Sequence, residues 1–165
     1  MLQLQPQTIT GQAVSALNRP KCSGRPGELS WVTLSTVNNK NWFTHPLLAR
    51  STASSLHHSL ADTNAQILVW VLLPEQLHLL IQAGSNCNVA DAMQRVKART
   101  AIAANQAATT STGMVGPLWK IRYSLQTVYQ RQHAHELAKQ IISQPQQLGL
   151  VDHYANYPYW DSIWV

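Results

Sequence analysis

Residues 66–82, QILVWVLLPEQLHLLIQ, decide how the rest of the chain folds. From Ile67 to Leu73 every side chain is apolar, the pattern of a strand covered on both faces, so this strand lies in the interior of a sheet. Pro74 and Glu75 turn the chain. The second half then alternates, with Leu77, Leu79 and Ile81 on one side and Gln76, His78 and Gln82 on the other. Gln76 and His78 are therefore neighbours on one face of a buried hairpin, a place where chemistry or its remains can lie.

Working outward, residues 30–37 (SWVTLSTV) are β-branched and alternating, which predicts a strand, and Asn38, Asn39, Lys40 and Asn41 turn the chain. Thr44 is placed to cap a helix with Pro46 in its first turn; Ala49, Thr52, Ala53, Leu56 and Leu60 form its apolar stripe. His57 and His58 fall off that stripe and read as surface residues. Asn88 caps a second helix, with Asp91 near the positive end of its dipole and Val89, Met93, Val96, Thr100 and Ala103 on the buried side. Arg95 and Arg99 stack four apart on another face with Lys97 nearby, as a solvated face or as a phosphate track.

Residues 107–117 (AATTSTGMVGP) read as a loop, and 118–128 (LWKIRYSLQTV) as a fourth strand or extended segment carrying Lys120 and Arg122. A helix is expected from Arg131 to about Gln144, with Ala134, Leu137, Ala138 and Ile141 on one side, stopped by Pro145 and followed by a turn at Gly149. The tail is aromatic, with Tyr154, Tyr157, Tyr159, Trp160 and Trp164 available to cover the core or to stack on bases. The order strand, helix, strand, strand, helix, strand predicts an α+β fold: a ferredoxin-like split βαβ sandwich, an antiparallel sheet with helices packed on it, plus an extra C-terminal helix.

Composition bounds the function. A chain of 165 residues is most economically one domain with a sizeable core. Residues 1–29, polar and carrying Pro6, Pro20 and Pro26 with the basic Arg19, Lys21 and Arg25, read as an arm; 30–165 read as the domain. Cys22 and Cys87 have no metal-ribbon spacing and read as free thiols. No apolar run reaches the roughly 18 residues of a membrane span, and the start lacks a signal peptide, so a cytoplasmic location is expected. Twelve basic against seven acidic residues leave a net charge of +5, favouring anionic partners, nucleic acid first.

Four stretches resemble one family in its own order. WVLLPEQLHLLI (70–81) looks like the WVxMPxHxHLL signature of single-tyrosine HUH transposases of the IS200-like, REP-associated branch. SWVTLSTVN (30–38) is similar to that family's YFVTLRT strand, GPLWKIRYSLQTV (116–128) to its W-x-x-x-[YF] segment, and QIISQPQQLGLV (140–151) to YIxxNPxxAGLV with an aromatic end after it. The resemblance implies an enzyme that cuts single-stranded DNA beside a hairpin. A helical tyrosine attacks the phosphodiester, and a divalent metal held by two histidines and a side-chain amide assists.

The chain departs from that pattern where the chemistry lies. His78 matches the second histidine, but Gln76 stands at the first. Gln140 occupies the nucleophile position and Gln144 that of the amide ligand. The resemblance therefore implies a weak or absent Mg²⁺ or Mn²⁺ site at Gln76, His78 and Gln144, and no strand transfer, because an amide offers no oxygen able to form a stable phosphodiester. The expected function is transposase-like binding of hairpin or single-stranded DNA through Arg95, Lys97, Arg99, Lys120, Arg122 and the arm. Two alternatives stay open: a metal-dependent transposase or nuclease that uses Tyr129 or a metal-bound water, and a decayed interaction domain. The family includes both monomers and dimers, so a homodimer also stays open.

Overall fold

The computed structural model describes residues 25–113 and 115–165; the basic cluster at Arg19 and Lys21, Cys22 and most of the proposed arm lie outside the described residues. Among the described residues, five strands form one antiparallel sheet. β1 (Leu29–Ser35), β2 (Gln66–Leu72), β3 (Gln76–Gln82) and β4 (Ser124–Val128) stand in the order β4-β1-β3-β2 of a split βαβ unit. A short β5 (Trp160–Ser162) adds to the outer side of β2. The β2–β3 hairpin turns at Pro74 and Glu75, where Leu73 N–H donates to Gln76 O at 2.8 Å.

The alternation read in β3 becomes two cores. On one face Val32, Leu34, Leu72, Leu77, Leu79 and Ile81 meet α1 (Pro46–His58) and α2 (Val89–Ser111). On the other, Leu29, Val69, Val71 and Leu80 meet Ala134, Ala138, Ile141 and Ile142 of α3 (Ala134–Ile142). A register shift between Ile67 and Val69 sends both Leu68 and Val69 toward the α3 face, as an extra residue in one strand does. β2 is an interior strand, as its apolar run requires, only because the tail returns as β5.

Four local expectations are corrected. Thr44 does not cap α1: its hydroxyl donates to Asn41 O at 2.8 Å within a preceding turn, His45 takes the cap position without a side-chain bond, and Pro46 opens the helix. α2 runs on to Ser111 instead of yielding to a loop at 107. Ala107 and Ala108 are buried in the core, and the hydroxyls of Thr109, Thr110 and Ser111 bond back to carbonyls three or four residues earlier, so small polar residues here continue the helix. Its start is as expected, with Asn88 Oδ1 accepting from Asp91 N at 2.9 Å.

β4 begins only at Ser124. Ahead of it Trp119 makes only an isolated antiparallel bridge with Thr36, while its side chain is drawn into the core and its indole N–H donates to Thr100 Oγ1 at 2.8 Å. Last, the helix expected to reach about Gln144 ends at Ile142. Pro145 cannot supply the next N–H, so residues 144–147 form a separate turn, α4 (Gln144–Gln147), and Gly149 reverses the chain at φ 70°. The aromatic tail covers the α3-side core: Tyr154, Tyr157 and Trp160 pack there, and Tyr157 Oη donates to Leu72 O at 2.6 Å. No helix among the described residues is long and apolar enough to cross a membrane.

Candidate functional site

Register places the polar side chains. β3 pairs with β1 so that Gln76 faces Ser35, His78 faces Thr33 and Leu80 faces Trp31. With strand side chains alternating, Trp31, Thr33 and Ser35 share the α3-side face with Gln76 and His78. Four contacts link them. Trp31 Nε1–H donates to His78 Nδ1 at 3.3 Å, Thr33 Oγ1 lies 3.1 Å from the same nitrogen, and His78 Nε2 lies 3.3 Å from Gln76 Oε1. Gln76 Nε2 donates to Ser35 Oγ at 3.4 Å, which completes the chain.

An indole can only donate, so Nδ1 is the acceptor and the ring proton of a neutral His78 sits on Nε2, donated to Gln76. Burial pushes the imidazole pKa down to about 4, so at neutral pH the ring is uncharged. Neutrality suits a metal ligand, but the hydrogen bonding does not: the nitrogen nearest Gln76 carries a proton instead of a lone pair. Gln76 and His78 as they stand do not fit a divalent cation. Among the described residues no group of three or more His, Cys, Asp or Glu side chains is arranged to hold an ion either.

α3 packs over this same face, which brings the helix of Gln140 into the layer of His78. Its buried stripe is Ala134, Ala138, Ile141 and Ile142; Gln140 lies on the exposed side and Gln144 is half-buried one turn later. Among the described residues no hydrogen bond joins either glutamine to Gln76 or His78. Tyr129 is 91 % exposed just beyond β4.

Of the basic residues expected to bind DNA, Arg95, Lys97 and Arg99 lie on α2, on the opposite face of the sheet from His78. Arg95 and Arg99, on α2, both pair with Asp62, Arg99 at 3.2 Å, and Arg99 also donates to the carbonyls of His58 and Ser59 at 2.9 and 2.6 Å. A backbone hydrogen bond, and then these guanidinium groups, hold the Asp62 carboxyl below its ordinary range. Lys97 Nζ donates to the carbonyls of Lys120 and Ile121 at 2.8 and 3.0 Å, and partial burial lowers its pKa. Lys120 Nζ donates to Asn39 Oδ1 at 2.7 Å, while Arg122 is exposed and has no ion-pair partner among the described residues. The arginines and Lys97 thus tie α2 to the end of α1 and to the segment before β4.

Sequence pattern points to Gln76 and His78 but not to Trp31, Thr33 and Ser35. The alternation in SWVTLS was the available signal, since it puts these three on one face; which strand they would face was not in it.

The described residues thus form a five-stranded antiparallel sheet with α1 and α2 on one side and α3 on the other, and the polar strip lies on the α3-side face. The family model described as "Transposase IS200 like" matches residues 31–144, well over half of the chain, and the chain belongs to that family. Among solved structures, it is similar to a REP-associated tyrosine transposase bound to a REP hairpin, at 16% identity over 87% of this chain and 82% of that one, with a TM-score of 0.63. A candidate transposase from Deinococcus radiodurans R1 aligns at 16% identity over 76% of this chain and 96% of that one, with a TM-score of 0.49. No curated protein matches the chain.

Proposed function

We propose that this protein binds hairpin or single-stranded DNA and does not carry out strand transfer. The observation that carries the reading is the family match across residues 31–144, a span that includes Gln76, His78, Gln140 and Gln144. The fold shared with a hairpin-bound transposase and the net charge of +5 support the DNA partner. Gln140, at the nucleophile position of the family pattern, offers an amide where a phenol oxygen would attack. Residues 30–165 are the DNA-binding domain in this reading, with 1–29 as an arm whose last residue, Leu29, opens β1 and joins the sheet.

Among the basic residues, Arg122 and Lys120 are best placed to grip phosphates. Arg95 and Arg99 share one carboxylate, and Lys97 is held by backbone oxygens, so these three contribute mainly to the surrounding field. A Mg²⁺ or Mn²⁺ site at Gln76, His78 and Gln144 is, in this reading, weak or absent.

Fluorescence anisotropy with labelled hairpin and single-stranded oligonucleotides, run beside a cleavage assay in Mn²⁺, tests this. The expected result is salt-sensitive binding, falling linearly in log K against log salt, with no covalent protein–DNA product. A covalent adduct or metal-dependent nicking would instead establish an active enzyme using another nucleophile, such as Tyr129. Unchanged anisotropy at low salt would leave an interaction domain without a nucleic-acid partner.

A further inference from the structure

A metal-binding histidine ordinarily donates its second ring N–H to a carbonyl or carboxylate, which leaves the ligating nitrogen bare. Around His78 the arrangement is reversed. The group beside Nδ1 is the Trp31 indole, a donor at 3.3 Å, and the nitrogen 3.3 Å from the Gln76 amide oxygen is Nε2. An ion shared by His78 and that amide oxygen needs the Nε2 lone pair. Baring Nε2 moves the ring proton to Nδ1, where it meets the indole hydrogen head on.

We infer that Trp31 locks His78 in its Nε2–H tautomer and thereby keeps the Gln76–His78 pair closed to divalent cations. The lock is built into the sheet. Trp31 lies opposite Leu80 and diagonal to His78, the ring centroids are 6.1 Å apart, and the half-buried indole packs against the α3-side core, so it has little room to swing away. Thr33 can serve either tautomer, because its hydroxyl donates or accepts at 3.1 Å. Trp31 cannot. The inference does not depend on DNA binding, and it assigns the indole a positioning role separate from the missing phenol at Gln140.

The first test uses the unaltered protein. In a long-range ¹H–¹⁵N spectrum at neutral pH, with the His78 signals assigned by their loss in His78→Gln, Nδ1 should resonate as an unprotonated nitrogen and Nε2 as a protonated one. A protonated Nδ1, or the averaged shifts of a ring that exchanges between tautomers, overturns the lock. The second test is Trp31→Phe, which keeps an aromatic ring and removes the donor. Its His78 nitrogens should move toward the other tautomer, and Mn²⁺ should broaden the His78 signals at about tenfold lower concentration than in the parent. A folded Trp31→Phe protein with an unchanged Nε2–H ring overturns the role of Trp31. A shifted ring with an unchanged Mn²⁺ response overturns the exclusion of cations.

Discussion

His78 should make the protein acid-sensitive in a defined window. Its pKa falls from the ordinary 6.5 to about 4 because the ring is buried. Below pH 6.5 the unfolded chain takes up a proton on this ring that the folded protein refuses, so stability is fully present above about pH 6.5 and is lost as the pH falls toward 4. At about 1.4 kcal/mol for each tenfold change, the loss approaches about 3 kcal/mol, most of it reached by pH 4.5. That is a large share of the roughly 5–15 kcal/mol that holds a typical domain together. Urea unfolding at constant ionic strength, at pH 7.5 and pH 4.5, should be measured on the parent and on His78→Gln, whose amide oxygen can still accept from Trp31 but does not titrate. The parent should lose about 2–3 kcal/mol more than the variant over that interval. Equal losses in the two proteins would refute the reasoning, since they would mean that the imidazole titrates alike in the folded and unfolded chains.

Arg122→Ala should weaken hairpin binding and lower the steepness of log K against log salt by about one, the signature of one lost phosphate contact; an unchanged slope in anisotropy titrations removes Arg122 from the interface. Gln76→His combined with Gln140→Tyr should gain Mn²⁺ affinity by calorimetry and some nicking of hairpin-flanked strands, with a further gain when Trp31→Phe is added. If the double variant binds no more Mn²⁺ than its parent, those positions do not form one site. Thr100→Val should cost about 1–3 kcal/mol in urea unfolding, because it leaves the buried Trp119 N–H without the hydroxyl that accepts it at 2.8 Å; a change below about 0.5 kcal/mol would show that the indole finds another acceptor.

Local pattern alone determined much of this protein. Alternation in residues 76–82 fixed which side chains leave the α1–α2 core, Asn88 marked the start of α2, and the order of elements specified the split βαβ sheet, because each of these depends on neighbours within a few positions. Tertiary structure decided what the same residues could not. Small polar residues at 109–111 looked like a loop until two buried alanines held them in a helix. The short β5 carries too few residues to announce itself and exists because β2 offers it an edge. Arg95 and Arg99 stand four apart in any helix, but only the fold brings Asp62 to them, across 33 residues in the case of Arg95. At His78 the division is sharpest. The alternation placed His78 beside Gln76, while a strand pairing 47 residues away set Trp31 against the opposite nitrogen, and a proton's position on an imidazole depends on what donates to it, which no spacing along the chain records.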